Sequence, residues 1–265
     1  MTDDAGTPKA NAPKVADLWT PLRAATSARV GLGRSGDAQP LGAVLEFQHA
    51  HAKARDAVHT PLDADDLVAA LKPFETITVT SQAADRSCYL RRPDLGRRLD
   101  PGSKPALEAA GDGFDVVFVV ADGLSATAVQ MHAAAVVHAA AERLSGFTLA
   151  PVVVARQGRV ALGDEIGEAL GAKLCVMLIG ERPGLSVAES LGVYLTYEPR
   201  KGRRDSERNC ISNIHGKGGL TYALAADKLA WLAREALRRQ VTGVKLKDDV
   251  ALAAPDAAGL IEDVG

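Results

Sequence analysis

Aromatic side chains are scarce, making up 4% of the 265 residues. The core must therefore be assembled mostly from Ala, Val and Leu, and a hydrophobic content of 47% is enough to build one. Cysteine is scarcer still. Cys88, Cys175 and Cys210 are too few and too scattered for a disulfide framework or a zinc site, so a reducing cytoplasm is the expected setting. No run approaches the roughly 18 apolar residues needed to span a bilayer. Residues 1–13 are polar and carry no hydrophobic leader. Charge of one sign is missing too. The net charge of −2 argues against nucleic-acid binding driven by counterion release. These absences leave a soluble intracellular chain, long enough for one large domain or for a domain with an extended arm.

Residues 1–15 lack the apolar surface that would offset ordering entropy and are expected to form a disordered tail. Thr20-Pro21 reads as a helix start, with Pro in the first helical position. Further helices are expected at 42–58 and 65–71. Residues 76–80 alternate β-branched side chains, as a short strand or an extended arm would, and Pro105 opens another short helix. From residue 115 the pattern changes. Continuous apolar runs at 116–121, 149–154 and 174–179 alternate with helical stretches at 125–144 and 164–170. Residues 192–197 and 210–214 read as further strands and 220–240 as a long amphipathic helix. This alternation predicts an α/β fold: a Rossmann-like, doubly wound, mostly parallel sheet with an N-terminal helical arm. The expected divisions are an N-terminal helical and extended region at 16–112, the sheet domain at 113–245 and a C-terminal tail at 246–265.

In open α/β sheets, ligands bind beyond the carboxyl ends of the strands. The run Gly180-Glu181-Arg182-Pro183-Gly184-Leu185 follows the strand at 174–179 and occupies such a place. Glu181 can accept hydrogen bonds from ligand amides or hydroxyls there, or simply pair with Arg182 on the surface. Val160, in Gln157-Gly158-Arg159-Val160, follows the 149–154 strand and can offer a carbonyl or an apolar contact. Asp122-Gly123-Leu124-Ser125 follows the first apolar strand. Ser125 reads as a helix cap, compatible with a ligand loop, and lacks the G-x-S-x-G context of a hydrolase nucleophile. Cys210 lies after an arginine-rich loop that could lower a thiol pKa, but without a His and Asn or Asp at family spacing, lining an apolar ligand suits it better and core filling better still.

Several other patterns point to plainer roles. Gly31-Leu32-Gly33-Arg34-Ser35-Gly36 matches G-x-G-x-x-G without a preceding strand, which favours a glycine-rich turn over a dinucleotide loop. His49 and His51 point to nearly opposite faces of one helix, so they cannot share a metal. Arg86, Arg91, Arg92, Arg97 and Arg98 could meet a phosphate, but a solvated face is the commoner explanation. Asn213-Ile214-His215-Gly216-Lys217-Gly218 is one residue from the D-x-H-x-x-G motif that ligates cobalt in many cobalamin proteins. Asn stands where the orienting Asp would be, so no metal ligand is expected from this chain.

Several long words in this order resemble the small subunits of ethanolamine ammonia-lyases. They are Gly33-Arg34-Ser35-Gly36, the stretch Tyr89-Leu90-Arg91-Arg92-Pro93-Asp94-Leu95-Gly96-Arg97-Arg98-Leu99, Asp122-Gly123-Leu124-Ser125, Gly180-Glu181-Arg182-Pro183-Gly184-Leu185 and Cys210-Ile211-Ser212-Asn213-Ile214-His215. The resemblance runs from about Leu18 through nearly the whole chain. It implies a Rossmann-like cobalamin-binding subunit that holds adenosylcobalamin against a large TIM-barrel subunit carrying the ethanolamine site. The implied reaction converts ethanolamine to acetaldehyde and ammonia after homolysis of the cobalt–carbon bond.

The family's cofactor contacts fall on Val160, Glu181 and Cys210, and no catalytic acid, base or nucleophile is expected here. The alternative is a structural subunit of a related cobalamin-dependent amino-alcohol lyase, with no direct cofactor contact. The chain departs from the family in its short N-terminal tail, which leaves targeting to an ethanolamine-utilisation microcompartment open, and in the Ala-rich extension after Lys247.

Overall fold

The computed structural model describes residues 17–247. The tail expected at 1–15 and the extension after Lys247 lie outside the described residues. The chain divides into two units between Ala50 and His51. In the first, α1 (Thr20–Ala25) starts one residue before Pro21, with Trp19 at the cap. It leads through the glycine-rich segment to α2 (Leu41–His59), which extends the expected 42–58 by one residue at each end. Gly31, Gly33 and Gly36 all have positive φ, at 59°, 80° and 63°. A Cβ on Gly31 would fall 2.2 Å from the Trp19 side chain, so these glycines build a turn, as the missing strand suggested.

The second unit contains the end of α2 and the remaining elements. These are α3 (Ala64–Ala70), β1 (Thr76–Thr80), α4 (Arg86–Arg91), α5 (Lys104–Glu108), β2 (Val116–Ala121), α6 (Ala126–Arg143), β3 (Val152–Arg156), α7 (Leu162–Ala169), β4 (Leu174–Gly180), β5 (Leu191–Tyr197), β6 (Arg208–Ile214) and α8 (Tyr222–Arg239). The six strands form one sheet in the order β1-β3-β2-β4-β5-β6. Residues 76–80 are therefore an edge strand, paired in parallel with β3 from Thr76↔Val152 to Thr80↔Arg156.

Both faces of the sheet are covered, which is why β2 and β4 read as unbroken apolar runs. Val116, Phe118 and Val120 pack in one core with α3, α6 and α8, whereas Val117, Val119 and Ala121 pack in another with α5 and α7. Strand β3 starts at Val152, later than the apolar run at 149, because Pro151 has no N–H to give to a ladder. Leu149 keeps a single parallel bridge to Val116.

The sheet is mostly, not wholly, parallel. Strand β5 runs antiparallel to both β4 and β6. The connections at 181–190 and 198–207 are too short for the crossover of a dozen or more residues that parallel neighbours need. Among the described residues, no helix is long and apolar enough to cross a membrane.

Candidate functional site

The loops that leave the carboxyl ends of β2, β3 and β4 meet at one rim. A buried carboxylate ties the first two together. Asp122 accepts from the backbone N–H groups of Gly123 at 3.0 Å, Gln157 at 3.0 Å and Gly158 at 2.9 Å. It also takes a charge-assisted bond from Arg86 Nη1 at 3.3 Å. Burial pushes the Asp122 carboxyl up from its ordinary range, while Arg86 and the three amides oppose that shift. Arg86 further donates to the carbonyls of Gly123 and Val58, so the loop after β2 is clamped to the end of α2.

The β2 and β4 loops touch backbone to backbone. A Cβ on Gly180 would lie 2.0 Å from the Ser125 carbonyl oxygen, so only glycine permits this approach. Leu124 N–H donates to the Gly180 carbonyl at 2.9 Å.

Tyr89, from α4, sits fully buried beneath this rim. Its hydroxyl donates to the Gly158 carbonyl at 3.0 Å, and the guanidinium groups of Arg86 and Arg159 lie over its ring, 4.7 Å and 4.4 Å from the centroid. Burial pushes its phenol well above the ordinary value, so it remains a donor. Above it opens a cavity of about 430 Å³ lined by Arg159, Val160, Ile179, Glu181 and Tyr194. A neighbouring cavity of about 330 Å³ shares Arg159, Val160 and Tyr194 and adds Arg97 and Asp205.

Val160 and Glu181 thus share one cavity. Glu181 forms no ion pair with Arg182 among the described residues. Its Oε2 accepts from Ser190 Oγ at 2.5 Å and Asn213 N–H at 3.3 Å. Its Oε1 lies beside Gly192, where a Cβ would come within 3.0 Å.

Cys210 stands on β6, directly opposite Tyr194 in the β5–β6 ladder, and is reached through that side chain. Although the residue is exposed, its thiol is packed among its neighbours, and this desolvation pushes its pKa up; a hydrogen bond with Tyr194 opposes the shift. The arginine-rich loop therefore does not lower the thiol pKa. Arg203 is spent on Glu198 and Glu207, and Arg208 on Asp164. Cys210 lines neither of these cavities but a separate one of about 420 Å³, with Ile211, Asn213 and Gly219, and it is not a poised nucleophile.

Ser125 is likewise committed. It accepts from Ala128 N–H at 3.2 Å as the α6 cap and donates to the Ala188 carbonyl at 2.9 Å. His215 is buried, with Lys217 N–H donating to Nδ1 at 3.1 Å and Nε2 paired with Asn213 Oδ1 at 2.8 Å. Both ring nitrogens are used. The arginine run divides: Arg86 is structural, Arg92 pairs with Asp94 on the surface, and Arg97 faces a cavity.

Sequence reasoning missed the anchor of the Glu181 loop. Glu189, at the loop's far end, accepts from Lys217 Nζ at 2.8 Å and Lys53 Nζ at 3.3 Å, and its carboxyl is held down to about 2, chiefly by Lys217. Buried His132 pairs with Tyr222 at 2.7 Å and with the Glu189 carbonyl at 3.1 Å. Nothing in the local sequence marks Glu189, because its partners come from distant elements. Arg159 and Tyr89 lay inside words already singled out, but their stacking was invisible there.

A mixed α/β sheet protein with a strand-end binding cavity is the class these features define. The cavity offers an acceptor, a cation and apolar walls, the equipment for holding a ligand. Residues 16–247 match the family of the ethanolamine ammonia-lyase light chain. The ethanolamine ammonia-lyase small subunit of Azotobacter vinelandii is 50% identical over 255 residues, covering 93% of this chain and 94% of its own. That of Pseudomonas syringae pv. tomato is 53% identical over 245 residues, covering 89% and 85%. That of Xanthomonas campestris pv. campestris is 52% identical over 241 residues, covering 88% of each. The chain belongs to the ethanolamine ammonia-lyase light-chain family.

Proposed function

We propose that this chain is the cofactor-holding subunit of an adenosylcobalamin-dependent ethanolamine ammonia-lyase. Together with a large subunit that carries the substrate, it converts ethanolamine to acetaldehyde and ammonia. Residues 113–245 form its Rossmann-like cobalamin-binding domain, built on the shared strand-end rim. The observation that carries this reading is the meeting of Val160 and Glu181 in one cavity, with Cys210 joined to it through Tyr194.

The donor set suits a corrin edge. Glu181 keeps Oε1 toward Gly192 while Oε2 is held, so one oxygen is left to accept an N–H from a peripheral carboxamide. Val160 and Ile179 give apolar contact, and Arg159 has a buried Nε with no acceptor among the described residues. No protein ligand to cobalt is called for, and His215 has no ring nitrogen to spare. When bound, adenosylcobalamin supplies the homolytic chemistry, while the protein supplies binding and orientation. The side chains here hold the corrin edge and keep water from it; none moves a proton.

The test is acetaldehyde production from ethanolamine and adenosylcobalamin by a large ethanolamine ammonia-lyase subunit, with and without this chain. Turnover is expected only when both are present. Stable association without turnover would overturn the assigned reaction and leave a structural role.

A further inference from the structure

Arg159 is the one half-buried arginine at the rim that spends none of its side-chain donors within the described residues. Arg86, Arg203 and Arg208 each bond carboxylates, and Arg97 and Arg182 are exposed, where water serves them. The guanidinium of Arg159 is instead held by packing. It lies 4.4 Å from the Tyr89 ring centroid, and Tyr89 is itself pinned through Gly158. The arginine stem runs against Gly96, where a Cβ would approach Arg159 Cγ to 3.0 Å. The Arg159 N–H donates to the Gly96 carbonyl at 2.7 Å. Its Nε is buried with no acceptor among the described residues, and the residue lines both strand-end cavities. A buried unpaired donor is costly. A cation fixed on a ring with its fork unspent is prearranged for a planar pair of anionic oxygens.

We propose that Arg159 takes the phosphodiester of the cofactor's nucleotide loop, an assignment that rests on the cobalamin reading of this site. The peripheral side chains of cobalamin end in neutral carboxamides, whereas its nucleotide loop carries a phosphodiester anion. Glu181 repels an anion and accepts from an amide N–H; Arg159 does the reverse. The two residues of the cavity thus sort the ligand's polar groups by charge and fix which way round it enters.

The test uses the complex with the large subunit and two corrinoids, cyanocobalamin and cobinamide, the latter lacking the nucleotide loop and its phosphate. Binding is read from corrin absorbance at equilibrium dialysis, after each variant is shown to assemble and to melt as the wild type does. Arg159→Gln is expected to cut cobalamin affinity about tenfold or more and to leave cobinamide affinity unchanged, so that the wild-type preference shrinks. Arg159→Lys, which keeps the charge and loses the fork, should fall between. Equal loss for both corrinoids, or no loss for either, would overturn the phosphate assignment. So would failure of Arg159→Gln to assemble without any corrinoid while Arg159→Lys assembles, which would give the cation to a carboxylate of the large subunit. A wild-type complex that binds neither corrinoid would sink the cobalamin reading itself, and that result is in hand before any variant is compared.

Discussion

Glu181 is aimed by its neighbours. Ser190 Oγ and the Asn213 N–H hold one carboxylate oxygen, and the bare backbone of Gly192 leaves space beside the other. Truncating it removes a charge-assisted acceptor that a carboxamide would use. Glu181→Ala should therefore raise the apparent KM for adenosylcobalamin about tenfold or more, with a smaller fall in kcat. Steady-state titration of cofactor at saturating ethanolamine measures both, and an unchanged cofactor KM would remove Glu181 from the site. At this scale the sequence was informative where position alone decides. A carboxylate straight after a buried strand, and a valine in the loop after another, had to face the strand-end rim. Asp122 was legible as a loop residue but not as a hub, because its acceptor role is defined by amides of Gln157 and Gly158 from a different loop. Tyr194 carried no signal, since its place opposite Cys210 depends on the β5–β6 register.

Among the elements, the helices and strands fell close to their expected bounds because apolar periodicity and capping residues are local properties. Ser125 at α6 and Thr221 at α8 each accept from the N–H three residues on. Strand direction is a different matter, since an apolar run reads the same in either sense. The length of the 181–190 connection, not its composition, carried the antiparallel turn of β5.

What ties β6 to the rest across the sheet is an ion pair that no local pattern announces. Arg208 on β6 donates two bonds of 2.6 Å each to Asp164 of α7, and a third of 2.9 Å to Thr196 Oγ. Both side chains are buried. Removing one partner leaves a charge stranded in a low dielectric. Asp164→Asn should thus cost about 3–5 kcal/mol in urea unfolding. Replacing both as Asp164→Leu with Arg208→Met should recover most of that loss, because two apolar side chains strand no charge. A double variant as unstable as the single one would show that the geometry of the pair, and not its charge, holds α7 to β6.

For the whole molecule, the pH dependence of stability should carry the mark of Glu189, which gathers Lys53 from α2 and Lys217 from the segment after β6 onto the end of the loop that bears Glu181. Its carboxyl is held at about 2 against an ordinary 4.5, mainly by the Lys217 bond and then by Lys53. A folded-state pKa below the unfolded one means that stability is contributed above about 4.5 and lost as pH falls through about 2. Taken alone the shift corresponds to roughly 3 kcal/mol. Both lysines are half exposed, so water screens the pair and about 1–2 kcal/mol is the expected contribution at neutral pH. Urea unfolding of the wild type and Glu189→Gln, measured from pH 7 down to pH 2, should show the largest gap at neutral pH. That gap should narrow below pH 4.5 and close near pH 2. Because the same carboxylate anchors the Glu181 loop, the acid range in which the gap narrows should also be where corrinoid affinity of the assembled complex declines. A gap that stays constant across the range would place the effect of Glu189→Gln in packing and leave the two lysines without an electrostatic part in holding the loop.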